Sequence, residues 1–156
     1  MTKFDFSGRK ILVTGGSRGI GLGIARGFIK SRADVTILAS DNKTIEIASK
    51  LSDEYGCSVA GLVCDITDRD AVASTVGRLE RIDVLINNAG LELITPIDTA
   101  GSEVEETFRR IIDINVMGTY YVTREALGRM HEGGRIILTS SMWGKSAVAE
   151  FSAYCT

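Results

Sequence analysis

Three glycines in the run Val13-Thr14-Gly15-Gly16-Ser17-Arg18-Gly19-Ile20-Gly21 are the first residues able to do chemistry in this 156-residue chain. Gly15, Gly19 and Gly21 follow an apolar run and precede a helical pattern, in the spacing Gly-x-x-x-Gly-x-Gly. Without Cβ atoms the backbone turns tightly, admits a pyrophosphate to the free amides at a helix N-terminus and packs the helix close to the strand. The spacing differs from the Gly-x-Gly-x-x-Gly fingerprint of other dinucleotide-binding folds, and a purely structural turn is the alternative. A second candidate is Asn115. Phe108, Ile111, Asn115, Gly118 and Val122 fall at helical offsets of 0, 3, 7, 10 and 14, one stripe with a polar member. A buried amide left without partners costs about 1 to 3 kcal/mol, so Asn115 is either a satisfied structural residue or part of a site. Cys57, Cys64 and Cys155 lack metal-ligand spacing and have only His131 as an imidazole partner. They read as buried or unreactive thiols, with no metal site.

Elements alternate around these positions. Ile11, Leu12 and Val13 form a strand buried on both faces, and Ile20, Ile24 and Phe28 recur at helical spacing beyond the turn. A second strand covers 34–39, a helix 42–55, and a third strand 58–64, ending at Asp65. Asp68 or Thr67 caps a helix holding Ala71, Val72, Val76 and Leu79. Asp83 to Ile86 makes a fourth strand, Asn87-Asn88-Ala89-Gly90 a polar turn, and 91–101 a loop with the only proline, Pro96. The longest helical pattern covers about 102–130, and a fifth strand follows Gly133-Gly134 from Arg135 to Thr139. Strands that are near-continuously apolar and alternate with helices predict an α/β fold with a parallel sheet covered on both faces. No repeat or linker interrupts the chain, so residues 1–156 read as one domain.

Composition removes several function classes. Hydrophobic residues make up 44% of the chain, enough for a core, and the net charge is −2. Basic and acidic residues alternate rather than cluster, so no nucleic acid or other polyanion is expected as a partner. Met1 to Phe6 carries no apolar core for a signal peptide, and no run approaches the ~20 residues of a membrane span. The expected location is the cytoplasm, with no membrane partner.

Together Thr14-Gly15-x-x-x-Gly19-x-Gly21, Asp65, Asn87-Asn88-Ala89-Gly90, Asn115, Ser141 and Tyr154 resemble the short-chain dehydrogenase/reductase family in order and spacing. The resemblance implies a doubly wound Rossmann-type sheet whose C-terminal strands are absent from this chain. It implies NAD or NADP as cofactor, held by Gly15, Ser17, Arg18, Gly19, Ile20, Gly21, Ser40, Asp65, Ile66, Asn88, Ala89 and Gly90. Asp65 and Ile66 would lie against adenine, and Asn88 to Gly90 would shape the cleft. Tyr154 would exchange a proton with a carbonyl or alcohol substrate while hydride moves to or from nicotinamide. A phenol of pKa about 10 needs help to do so near neutrality. Ser141, thirteen residues earlier, would hold the substrate oxygen at the tyrosine, and Asn115 would hold a proton-relay water. The resemblance also implies homo-oligomers, with the long helix around Asn115 as a candidate dimer face.

An acid at the end of the second strand would select NAD by bonding the ribose 2′-hydroxyl. Here that position is Ala39, followed by Ser40, with Asp41 two residues late. Arg18 is placed to meet a 2′-phosphate and Ser40 to donate to it, so the balance leans to NADP, with Asp41 read as a solvated turn residue. The family's lysine lies four residues after the tyrosine, where its ammonium lowers the phenol pKa. The sequence ends at Thr156, before that position, and Lys145 precedes the tyrosine. The expectation is a fragment with an exposed apolar fifth strand, marginally soluble and close to inactive alone; the alternative is a non-catalytic dinucleotide-binding or interaction module. Met142, Trp143 and Phe151 are read as ordinary packing before pocket lining.

Overall fold

Lys10–Thr14 (β1) alternates its side chains across the sheet, Ile11 and Val13 to one face and Leu12 to the other, and all three are at most 2% exposed. A strand this apolar is stable only with both faces and both edges covered. The computed structural model, which describes residues 4–156, shows how that is met. β1 pairs in parallel with β2 (Asp34–Ala39) and with β4 (Ile82–Asn87). With β3 (Val59–Val63) and β5 (Met130–Leu138) they form a five-stranded parallel sheet in the order β3-β2-β1-β4-β5. Of the N-terminal reading, residues 1–3 lie outside the described residues.

Helices α1 (Gly19–Lys30) and α2 (Lys43–Tyr55) cover one face, closing a core of Ile11, Val13, Ala25, Ile29, Ile37, Ala48 and Leu51. α3 (Arg69–Val76) and α5 (Thr119–Leu127) cover the other, with Leu12, Leu38, Val72, Val76, Leu85, Val122 and Ala126. The Asp68 carboxylate caps α3 by accepting from the amides of Asp70 and Ala71, as its position predicts. This is the parallel α/β sheet covered on both faces expected from the alternation, in the doubly wound form that the resemblance implies.

Four details differ from the sequence-based expectation. The face that α1 buries is Gly21, Ala25 and Ile29, whereas Ile20 is 70% exposed. Small residues let the helix axis approach the sheet, and Ile24 and Phe28 of the expected stripe pack half-buried against the same core. Asn87 belongs to β4 and is buried, not part of the turn. The long helix ends at Leu127 and is interrupted: α4 (Ser102–Ile112) passes into a π-helical turn, Asp113–Gly118, before α5. Ile111, Gly118 and Val122 are nonetheless buried as the stripe predicts. Gly118 is fixed by contact, since a Cβ there would sit 2.6 Å from Ile66 Cγ1. Finally Met130 opens β5 opposite Ile82, while Arg135 lies opposite Val84, so the intervening residues form a bulge with Gly133 at φ +87°. Ile137 and Leu138, 49% and 60% exposed, make β5 the apolar sheet edge that was expected. Of the three thiols Cys57 is exposed, Cys155 half-buried and Cys64 buried, and burial pushes the Cys64 thiol pKa up.

Asp83 is the charged exception inside β4, 7% exposed. Burial disfavours its charge, but the Lys10 amide at 2.8 Å and the guanidinium groups of Arg81 and Arg9 outweigh that and hold its pKa below the ordinary carboxylate value. A carboxyl with a lowered folded pKa stabilises fully above its unfolded pKa of about 3.9 and loses that contribution as pH falls through the folded value. Asp83→Asn is therefore expected to cost about 1–3 kcal/mol at pH 7 and to flatten the acid limb of stability. Urea denaturation at a series of pH values below 5 measures both.

Candidate functional site

The strand order turns back between β1 and β4, and loops leaving the C-terminal ends of neighbouring strands part there to leave a crevice. A cleft of about 520 Å³ opens at that point. Its walls come from the glycine turn (Gly15, Ser17, Arg18, Gly19, Ile20), the end of β2 (Leu38, Ala39, Ser40, Asp41), the end of β3 (Cys64, Asp65, Ile66) and the segment after β4 (Asn88, Ala89, Gly90, Leu91). Every residue of the sequence-derived cofactor set lines it except Gly21, which lies behind the wall. Leu38, Leu91, Arg110 and Ile114 also line it and were not foreseen, because the two on α4 and the π turn approach from 90 residues away in sequence.

The turn is held from behind. Gly15 takes φ +64°, a left-handed conformation that favours glycine. A Cβ on Gly21 would lie 2.2 Å from the Gly15 carbonyl oxygen and 2.5 Å from Asn88 Nδ2, so helix, turn and β4 loop meet with no room for a side chain. Thr14, 2% exposed, joins the two loops: its Oγ1 accepts from the amides of Asn88 and Ala89, both at 3.0 Å. Asn88 Nδ2 returns a bond to the Thr14 carbonyl at 3.2 Å. The Asp65 carboxylate accepts from the amide and hydroxyl of Thr67, which fixes the β3 end of the cleft.

The cleft suits an anion at one end. α1 has no side-chain cap and no acid in its first turn, and its first residues, Gly19 and Ile20, face the opening. Its N-terminal amides and dipole are therefore free to meet phosphate. Arg18 is exposed beside them, and Ile20 offers an apolar surface at the mouth. Asp41 is the exposed turn residue expected, and its Oδ2 also accepts from Ser17 Oγ at 3.0 Å.

The three candidate catalytic residues stand beyond the Gly90 side of this cleft. Asn115 lies in the π turn, where Oδ1 accepts from the Leu91 amide at 2.8 Å and Nδ2 donates to the Leu91 carbonyl at 2.9 Å. Both ends of the amide are thus committed to the segment that follows Gly90. Ser141 Oγ accepts from the Trp143 amide at 3.2 Å, capping a short 3₁₀ turn, Met142–Gly144. Tyr154 sits in α6 (Ser152–Cys155), its ring edge-on to Trp143 with centroids 5.9 Å apart. Trp143 thus touches both, and it also packs on Phe151 at 5.1 Å. Thr95, fully buried and unnoticed in the sequence, anchors α6: its Oγ1 accepts from the Ala153 amide at 3.0 Å, and its amide donates to Glu150. The loop 91–101 is therefore tied at Leu91 to Asn115 and at Thr95 to the helix of Tyr154.

Among the described residues no group of His, Cys, Asp and Glu is arranged to hold a metal, and no helix is long and apolar enough to cross a membrane. A family model described as short chain dehydrogenase matches residues 9–156. The chain is 33% identical over 151 residues to the cyclic-di-GMP-binding biofilm dispersal mediator protein of Escherichia coli K12, covering 96% of this chain and 60% of that protein. It is 34% identical over 154 residues to a 3-oxoacyl-(acyl-carrier-protein) reductase of Rickettsia bellii, covering 97% of this chain and 61% of that one. The crystal structure of BdcA in complex with NADPH matches with a TM-score of 0.81 at 33% identity, over 96% of this chain and 59% of BdcA. The chain thus spans about 60% of the length of these curated relatives.

Proposed function

The chain belongs to the short-chain dehydrogenase family, and on that premise we propose that it forms the dinucleotide-binding and proton-transferring part of an NAD(P)-dependent oxidoreductase acting on a carbonyl or secondary alcohol. The observation that carries this is the uncapped N-terminus of α1 opening into a cleft walled by the ends of β1 to β4. Gly15 to Ile20 would receive the pyrophosphate on backbone amides, and Asp65 with Ile66 would flank adenine. When bound, the nicotinamide ring gives or takes the hydride. Tyr154 would exchange the proton at the substrate oxygen, and Ser141 would hold that oxygen by a hydrogen bond. Asn115, by fixing Leu91, would hold the loop beside the reacting centre, and the second N–H and second lone pair of its amide would remain for a water. The lysine that lowers the phenol pKa in relatives falls at position 158 by spacing, outside the 156 residues.

NADP is the favoured cofactor in this reading, because Arg18 and Ser40 line the cleft and would meet a 2′-phosphate. Arg18→Ala should weaken NADPH binding about tenfold, worth about 1.4 kcal/mol, and change NADH binding far less. Calorimetric titration of both dinucleotides checks this; unchanged NADPH affinity removes the preference. Val116, Met117 and Tyr120, 52%, 36% and 54% exposed on the long helix, would form a self-association face. A second reading is a nucleotide-binding module without catalysis, favoured by the name of the Escherichia coli relative. The codons after Thr156 separate the two: a lysine two residues on supports the enzyme, and its absence supports the module.

A further inference from the structure

Thr95 lies outside the walls of the cleft, is fully buried and directs all three of its polar groups at one segment, Glu150 to Ala153. Its amide donates to the Glu150 carbonyl at 2.6 Å. Its carbonyl accepts from the Ser152 amide at 3.3 Å and from the Ser152 hydroxyl, and its Oγ1 accepts from the Ala153 amide at 3.0 Å. Those two amides belong to the first turn of α6, where backbone N–H groups have no partner inside the helix. Phe151, which precedes the helix, makes no side-chain cap. A residue 57 positions before Ser152 therefore takes the place of the N-cap. The first turn is the costly part of a helix to form, and the chain just before it is strained. Glu150 has φ +68°, one of two non-glycine residues in the left-handed region among the described residues, and its carbonyl is the one that Thr95 holds. Such a conformation persists only where the surroundings over-determine it.

Resting on the oxidoreductase reading, we propose that Thr95 is a positioning residue for proton transfer. By capping α6 it fixes the turn that bears Tyr154, and with it the place of the phenol relative to the dinucleotide. The connection is short. Leu91 lines the cleft and is bonded through both its amide and its carbonyl to Asn115, and Thr95 follows four residues later. The span from Leu91 to Thr95 thus begins at the cofactor wall and ends at the tyrosine turn. Trp143 then sets the ring, edge-on to Tyr154. Thr95 itself meets neither substrate nor cofactor and acts through α6 alone.

Thr95→Val keeps the shape of the side chain and removes the acceptor, whereas Thr95→Ser keeps the acceptor. Ser152→Ala takes one hydroxyl from the same cluster, leaves the backbone bonds, and is read by the same criteria if the valine variant fails to fold. On the protein expressed from its full coding sequence, the measurements are amide exchange at Ala153, NADPH affinity by calorimetry, and NADPH oxidation with a panel of aldehydes, methyl ketones and 3-oxo esters. In Thr95→Val, exchange at Ala153 is expected to quicken about tenfold, the factor for one lost hydrogen bond. Turnover should fall on the order of a hundredfold while NADPH affinity stays within about twofold of wild type, the pattern of a misplaced reacting group. Serine should restore both, and Ser152→Ala should shift both in the same direction by less. Unchanged exchange at Ala153 in Thr95→Val overturns the cap. Turnover that is unchanged, or that falls only in step with NADPH affinity, overturns the positioning role and leaves the oxidoreductase reading intact. Wild type that binds NADPH and reduces no carbonyl of the panel overturns the proton-transfer reading of Tyr154, and the role of Thr95 with it.

Discussion

Gly21→Ala will weaken dinucleotide binding by on the order of a hundredfold, because displacement of a binding group by about 1 Å carries losses of that size. The added Cβ would lie 2.2 Å from the Gly15 oxygen and 2.5 Å from Asn88 Nδ2, and two of its three nearest neighbours are backbone atoms that cannot rotate away. Relief requires α1 to move off the turn, which carries the N-terminal amides away from the phosphate position. Overpacking of this kind costs about 1–3 kcal/mol, and more where backbone must shift. Gly23, two residues along the same helix, is the matched control. A Cβ there meets nothing within 4 Å, and Gly23 has an ordinary helical conformation. Gly23→Ala should leave binding unchanged and stabilise the chain by about 0.5–1 kcal/mol through helix propensity. Thermal melts and calorimetry on the pair measure both effects, and equal behaviour of the two variants contradicts the close-packing argument.

Thr14→Val keeps the shape of the side chain and removes one oxygen. That oxygen is the acceptor for the amides of Asn88 and Ala89 and donates to the Ile86 carbonyl at 3.4 Å. At 2% exposure no water replaces it, so two donors are left without partners. Each orphaned buried group costs about 1–3 kcal/mol, and a total of roughly 2–6 kcal/mol is expected. The loss should appear in function as well as stability, because Asn88, Ala89 and Gly90 line the cleft and would lose their tie to the glycine turn. Thr14→Ser retains the hydroxyl and should recover most of both, giving up about 1 kcal/mol for the missing methyl. Serine and valine variants that are equally impaired would place the effect in packing and not in the hydrogen bonds.

The parts legible in the sequence are those where local chemistry and fold demand the same residue. The run Ile11 to Gly21 is apolar, then glycine-rich, then helical, and the structure has a buried strand, a left-handed turn and a helix at those places. Ala39 was placed at a strand end and stands there. What stayed hidden depends on partners far away in sequence. Asp83 reads as a polar strand residue until Arg9, the Lys10 amide and Arg81 surround it. Asp41 reads as a solvated turn and is exposed, yet its bond to Ser17, 24 residues earlier, has no local signal. Thr95 carries no local signal at all, because its partners Glu150, Ser152 and Ala153 lie more than 50 residues on. Periodicity placed Ile111, Gly118 and Val122 correctly, yet it could not register a π turn between them, whose extra residue alters phase without altering composition. Asn115 accordingly bonds the amide and carbonyl of Leu91, with its Oδ1 beside Gly90, a pairing 24 residues apart that periodicity does not register.

The central claim is that the cleft at the C-terminal ends of β1 to β4 binds a nicotinamide dinucleotide. Isothermal titration of the 156-residue chain with NADPH tests it most directly. The expected result is saturable one-to-one binding with a dissociation constant in the range of about 1 μM to 1 mM, competed by NADH and weakened on the order of a hundredfold in Gly21→Ala. Absence of saturable binding at ~10 mM, an order of magnitude above that range, by a chain whose circular dichroism shows it folded, would contradict it.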